Sequence, residues 1–87
     1  MNTADRIRER LAALEPESYT LEDDSAAHRG HAGAASGGGH FSLTIVSPKF
    51  RTLSTLARHR LVYEAMGELM QRDIHALSIS ALTPEEL

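Results

Sequence analysis

The 87-residue chain contains no cysteine, so it supplies no disulfide framework, no thiolate metal ligand and no cysteine nucleophile. Any metal chemistry must rest on its five histidines and its carboxylates. No apolar run approaches the length of a membrane span, which reads as a soluble, cytoplasmic protein. The amino terminus carries Asp5 and Glu9 among its arginines and so matches neither a secretory signal nor a transit peptide. No internal repeat is visible, and the length suffices for one small domain, residues 1–87, with a thin core.

Acidic residues are missing between Asp24 and Glu64. Arg29, Lys49, Arg51, Arg58 and Arg60 all fall in that stretch with His28, His31, His40 and His59, although the net charge is −3. The rest of the chain is therefore strongly acidic. Such sorting favours an anionic partner or ligand at one face over bulk coating of nucleic acid, which usually needs an overall basic domain. The alternative is that the clusters disperse on folding.

Ala4, Ile7, Leu11 and Leu14 recur at helical spacing, which predicts an amphipathic helix over residues 3–14, capped by Asn2 or Thr3 and ended by Pro16. Tyr19 and Leu21 alternate with Ser18, Thr20 and Glu22 as an edge or half-buried strand. Residues 25–39, rich in glycine and alanine and carrying His28 and His31, have no periodicity that buries a face and read as a flexible loop. A loop of that length in so small a domain is usually functional or disordered. Phe41, Leu43 and Ile45 alternate with Ser42 and Thr44 in the clearest strand, which Ser47-Pro48 stops.

Ser54 caps a second helix expected to run to about Gln71, with Ala57, Leu61, Ala65 and Leu69 on one stripe. Leu77, Ile79 and Ala81 mark a third strand, and Thr83-Pro84 starts a short C-terminal helical turn. The order α-β-β-α-β predicts an α+β domain with helices on one face of a three-stranded mixed sheet.

On spacing alone His75 shares the alternating face of Leu77 and Ile79, as a core histidine bonded to a backbone carbonyl does. A zinc site from His28, His31 and His40 has no usual ligand spacing. Lys49, Arg51, Arg58, His59 and Arg60 form the candidate positive surface, for phosphate or an acidic partner. Its plainer reading is a solvated helix face with Arg60 and Glu64 paired at i,i+4. Ser47, Ser54 and His59 form no recognisable nucleophile arrangement, and no phosphate-cradling glycine motif precedes a helix, so the reading is a binding protein and not an enzyme.

Four motifs occur in order: Val46-Ser47 with Phe50, Arg58-His59-Arg60 with Tyr63, His75-Ala76-Leu77, and Thr83-Pro84. As a set they resemble the BolA family over about residues 3–87. The resemblance implies a type II KH-like fold, although no Gly-x-x-Gly loop joins two helices here, which leaves RNA clamping with little support. It also implies an adaptor in iron-sulfur and iron homeostasis that binds a monothiol glutaredoxin and co-ligates a bridging [2Fe-2S] cluster.

By that resemblance His75 is the family's histidine ligand, and a loop histidine is the second: His31 in its Gly-His-Ala setting, with His40 and His28 as alternates. The glutaredoxin's cysteine and its bound glutathione supply the other two, so no cofactor is expected in the isolated chain. The resemblance equally implies a DNA-binding transcriptional regulator of stress response and morphology acting through residues 49–60. The family usually has glycine two residues after the phenylalanine matching Phe50, where this chain has Thr52. If that turn needs positive φ, a β-branched residue is disfavoured there.

Overall fold

The first helix starts where the Asn2 side chain accepts the Asp5 amide at 2.9 Å and the Asp5 carboxylate accepts the Asn2 amide at 3.4 Å. This reciprocal cap satisfies two donors that a helix start leaves open. The computed structural model describes residues 1–25 and 39–87. Helix α1 spans Thr3–Leu11 and tightens into a 3-10 turn over Ala12–Leu14, with Glu15 left-handed at φ 46 ahead of Pro16. Strand β1 (Ser18–Asp23) pairs antiparallel with β2 (Gly39–Val46), and β3 (Ile74–Leu82) pairs parallel with the other side of β2. Between β2 and β3 lie a 3-10 turn at Pro48–Phe50, helix α2 (Thr55–Met66) and the single turn α3 (Leu69–Arg72). A 3-10 turn at Pro84–Glu86 follows β3.

This is the α+β arrangement expected, with β1 on the edge as read from its weak alternation. Ile7 and Leu11 from α1 and Val62 and Met66 from α2 pack with Phe50 against Phe41, Leu43, Ile45 and Leu77. Burial of each such side chain is worth about 1.5–3 kcal/mol. The other sheet face carries hydroxyls, with Thr20, Thr44 and Ser80 in one cross-strand row. Among the described residues no helix is long and apolar enough to cross a membrane.

Helix α2 is shorter than its apolar stripe suggested. Ser54 Oγ accepts the Ala57 amide at 3.1 Å at its start, but Gly67 adopts φ 56, ψ −130, which an L side chain rarely adopts. The helix therefore stops at Met66, and Leu69 reaches the core from α3 instead.

Ser47, fully buried, joins three segments. Its hydroxyl donates to the Leu14 carbonyl at 2.6 Å and accepts the Lys49 amide at 3.1 Å, while its amide donates to the Leu82 carbonyl at 2.9 Å. One residue thus fixes the end of the first helical segment, the end of β2 and the end of β3 against each other.

Candidate functional site where two parallel strands begin

Because β2 and β3 are parallel, their first residues lie side by side. Gly39 pairs with Ile74, but His40 pairs with Ala76, so β3 carries one extra residue there, His75. Such a bulge shifts the side-chain parity of the strand. Ile74 and Leu77 are both buried while His75 is exposed. The core-histidine reading taken from strict alternation is thereby corrected.

The bulge places the His75 ring beside His40, with centroids 5.0 Å apart and planes tilted by 41°. His40 is held by its backbone: its amide donates to Ser25 Oγ at 3.1 Å and its carbonyl accepts the Asp24 amide at 2.7 Å. The Asp24 carboxylate accepts the Ser42 hydroxyl. Asp23 accepts the Ser25 amide at 2.9 Å, and hydrogen bonding from the Ser25 side chain and then its backbone holds the Asp23 carboxyl below its ordinary value. Gly39 donates to the Asp73 carbonyl at 3.1 Å, and a Cβ there would lie 2.5 Å from Cε2 of Phe41. A side chain at position 39 would therefore displace the Phe41 ring, which glycine leaves in place.

Two imidazoles bound to one tetrahedral ion, with metal–nitrogen distances of about 2.1 Å, have ring centroids on the order of 5 Å apart. The His40–His75 spacing fits that geometry. Two nitrogens leave further positions to fill, and among the described residues no group of three or more histidines and carboxylates is arranged to hold a metal ion. His31 and His28 lie outside the described residues, so the pairing of His31 with His75 and most of the His28, His31, His40 zinc alternative fall there too. Sequence reasoning ranked His31 first on its Gly-His-Ala setting and His40 second; the closeness of His40 to His75 depends on strand register, which spacing does not reveal.

The basic segment is divided by the structure. Arg51 makes a bidentate pair with Glu85, at 2.8 and 2.5 Å. Arg58 is only 14% exposed and reaches Glu86 at 2.6 and 3.3 Å as well as the Leu53 and Ala81 carbonyls, each at 3.0 Å. The Arg58 guanidinium, followed by the Thr83 amide, pulls the Glu86 carboxyl down to about 2, and Arg51 lowers that of Glu85. Lys49 and Arg60 are exposed and His59 is half-buried. Among the described residues Lys49 and Arg60 enter no ion pair, and the Arg60–Glu64 pairing is not formed. The acidic partners Glu85 and Glu86 went unread because they lie about 30 positions downstream, within what spacing shows only as a helix start.

At the strand starts of a one-sided α+β sheet, a half-buried imidazole, His40, thus lies beside an exposed one, His75. The family model described as BolA-like protein matches residues 11–86, and the chain belongs to that family. It is 43% identical over 89 residues to Protein BOLA1, chloroplastic, of Arabidopsis thaliana, covering 98% of this chain and 56% of that protein. It is 33% identical over 73 residues to the DNA-binding transcriptional regulator BolA of Haemophilus influenzae, covering 84% of this chain and 68% of that one. The solved structure of BolA1 from Arabidopsis thaliana superposes with a TM-score of 0.84 at 39% identity, covering 100% of this chain and 98% of that one. The chain spans 56% and 57% of the length of the plant and mouse curated relatives.

Proposed function

We propose that this protein is a non-catalytic adaptor that binds a monothiol glutaredoxin and shares a [2Fe-2S] cluster with it and with glutathione. The observation that carries the reading is an exposed histidine on a strand bulge, His75, with a second imidazole, His40, at 5.0 Å. Neutral imidazole is a competent iron ligand, and in place of thiolate it raises a cluster's potential by reducing its negative charge. The chain offers two nitrogen donors, and a partner completes the set. His40 is the second donor favoured by this placement, and His31 is the one favoured by the family resemblance.

The test is the visible absorption and circular dichroism of the protein mixed with glutaredoxin, glutathione and a source of iron and sulfide. His75→Ala should abolish the mixed-complex spectrum with the fold retained. An unchanged spectrum would sink the assignment. Parallel His40→Ala and His31→Ala variants identify the second ligand by which of them shifts the spectrum.

A DNA-binding role is the second reading, supported by the name of the Haemophilus influenzae relative and the exposed Lys49 and Arg60. With Arg51 and Arg58 held by Glu85 and Glu86, two phosphate contacts remain. They give a log-log salt slope of magnitude about 2, at about 0.9 per phosphate. Tight binding that survives Lys49→Glu/Arg60→Glu and high salt would place any DNA surface elsewhere.

A further inference from the structure

The sheet order β1-β2-β3 leaves β3 at an edge, with β2 on one side of it only. In a parallel ladder alternate residues turn both amide and carbonyl toward the same neighbour. The Leu82 carbonyl accepts the Ser47 amide at 2.9 Å, so Ser80, Ser78 and Ala76 face β2 as well. Leu77, Ile79 and Ala81 turn outward, and the Ala81 carbonyl there accepts Arg58 Nη1 at 3.0 Å. That guanidinium, held by Glu86, closes one end of the edge, and the bulge at His75 closes the other. Between the two ends, the amides and carbonyls of Leu77 and Ile79 have no hydrogen-bond partner among the described residues.

An open edge invites another strand, and proteins guard such edges with charge or proline. The opposite edge follows that rule, since β1 carries Glu22 and Asp23. β3 does not. Over Ile74–Leu82 it has no lysine, arginine, carboxylate, proline or glycine, and its one titratable side chain is His75 at the bulge. The core side of this edge is an apolar shelf. Ile79 and Ala81 are half-buried there, as are Leu61 and Ala65 of α2, which follow Arg58 along the helix stripe that Arg58 fixes over Ala81.

We propose that the β3 edge docks a second copy of this chain, antiparallel, about a twofold axis through Ser78. The open residues set the register: Leu77 exchanges both main-chain bonds with Ile79 of the second copy, and Ile79 with its Leu77. A pairing centred on Ile79 would need the Ala81 carbonyl that Arg58 holds, and one centred on Leu77 would run into the bulge. The twofold sets Leu77 against Ile79 on the apolar side and Ser78 against Ser78 on the hydroxyl side, so no like charges are opposed. It also closes on itself, whereas β3 added to a β1 edge would propagate as an open filament. A contact this short is a transient interface. The inference rests on the sheet and not on the adaptor reading.

Ser78→Cys tests the register, because the chain has no cysteine of its own. Residues facing each other at the axis form a non-hydrogen-bonded pair with Cβ atoms about 4.5 Å apart, within reach of a disulfide. Ser80→Cys, also exposed, would hold its two thiols about 14 Å apart along the strands. Mild oxidation of the full chain at about 1 mM should link Ser78→Cys at least about tenfold faster than Ser80→Cys. Sedimentation of the wild type should show the average mass rising toward the dimer between about 10 µM and about 1 mM, with the Leu77 and Ile79 amide resonances shifting in step. Ser78→Lys, which opposes two ammonium groups at the axis, should stay monomeric over that range with its amide spectrum otherwise unchanged. Equal linking rates, or a dimer that survives Ser78→Lys, would overturn the proposal. A wild type that is monomeric throughout would overturn it too, and would leave the edge to an extended segment of another protein.

Discussion

Thr52 occupies a backbone position built for glycine, and replacing it should stabilise the protein. Arg51 at φ −58, ψ 140 and Thr52 at φ 66 are closed by the Leu53 amide donating to the Phe50 carbonyl at 3.2 Å. That is a type II turn, whose third residue needs positive φ. A left-handed L residue costs about 1–2 kcal/mol, and the extra freedom of an unfolded glycine offsets about 0.4–1 kcal/mol of the relief. The Thr52 side chain is exposed, so little packing is lost. Thr52→Gly should therefore gain about 1 kcal/mol, raising the melting temperature of a domain this size by about 4–8 °C. Thermal and urea unfolding of Thr52→Gly, Thr52→Asn and Thr52→Ala measure it. Glycine should rank first and asparagine second, with alanine close to wild type because it keeps an L side chain at positive φ. A glycine variant no more stable than the alanine variant would refute the reasoning.

Ser47→Ala should lose about 1–3 kcal/mol in urea unfolding, because the Leu14 carbonyl and Lys49 amide lose a buried partner. Gly67→Ala should lose about 1–3 kcal/mol by forcing a side chain into φ 56, ψ −130, with circular dichroism checking that helix content is kept. Glu86 is ordinarily a group of pKa 4.5 and is lowered to about 2 by Arg58. Its contribution is fully present above the unfolded value and disappears as pH falls through the folded one. The stability difference between wild type and Glu86→Gln should therefore be constant down to about pH 4.5 and vanish toward about pH 2. A difference independent of pH would show that the carboxylate charge is not what matters.

The elements could be read from the sequence because their signals are local. Ser54 before an apolar stripe, Asn2 before Asp5, and the alternation of Phe41, Leu43 and Ile45 each work within a few residues. What escaped depends on pieces meeting in space. The His75 bulge exists only relative to β2, and a strand taken alone reads as unbroken alternation. Gly67 inside an apolar stripe is compatible with a continuous helix, and the φ of 56 that ends the helix there leaves no mark in the spacing. The basic segment looked like one surface because Glu85 and Glu86, which bind two of its arginines, are distant in sequence. At Thr52 the departure from the family pattern carried the signal, and the structure supplies its cause.

The junction at Ser47 sets an order on folding during synthesis. Its amide has no acceptor until Leu82 has left the ribosome, and β2 lacks its parallel neighbour until then. An emerging chain that includes only α1, β1 and β2 can form a hairpin, but one flank of β2 stays unpaired while Leu43 and Ile45 lack Val62 and Met66 above them. Unpaired strand flanks with exposed apolar side chains are the species that aggregate. For this chain, the interval of translation between Val46 and Leu82 is the interval of greatest need for a chaperone.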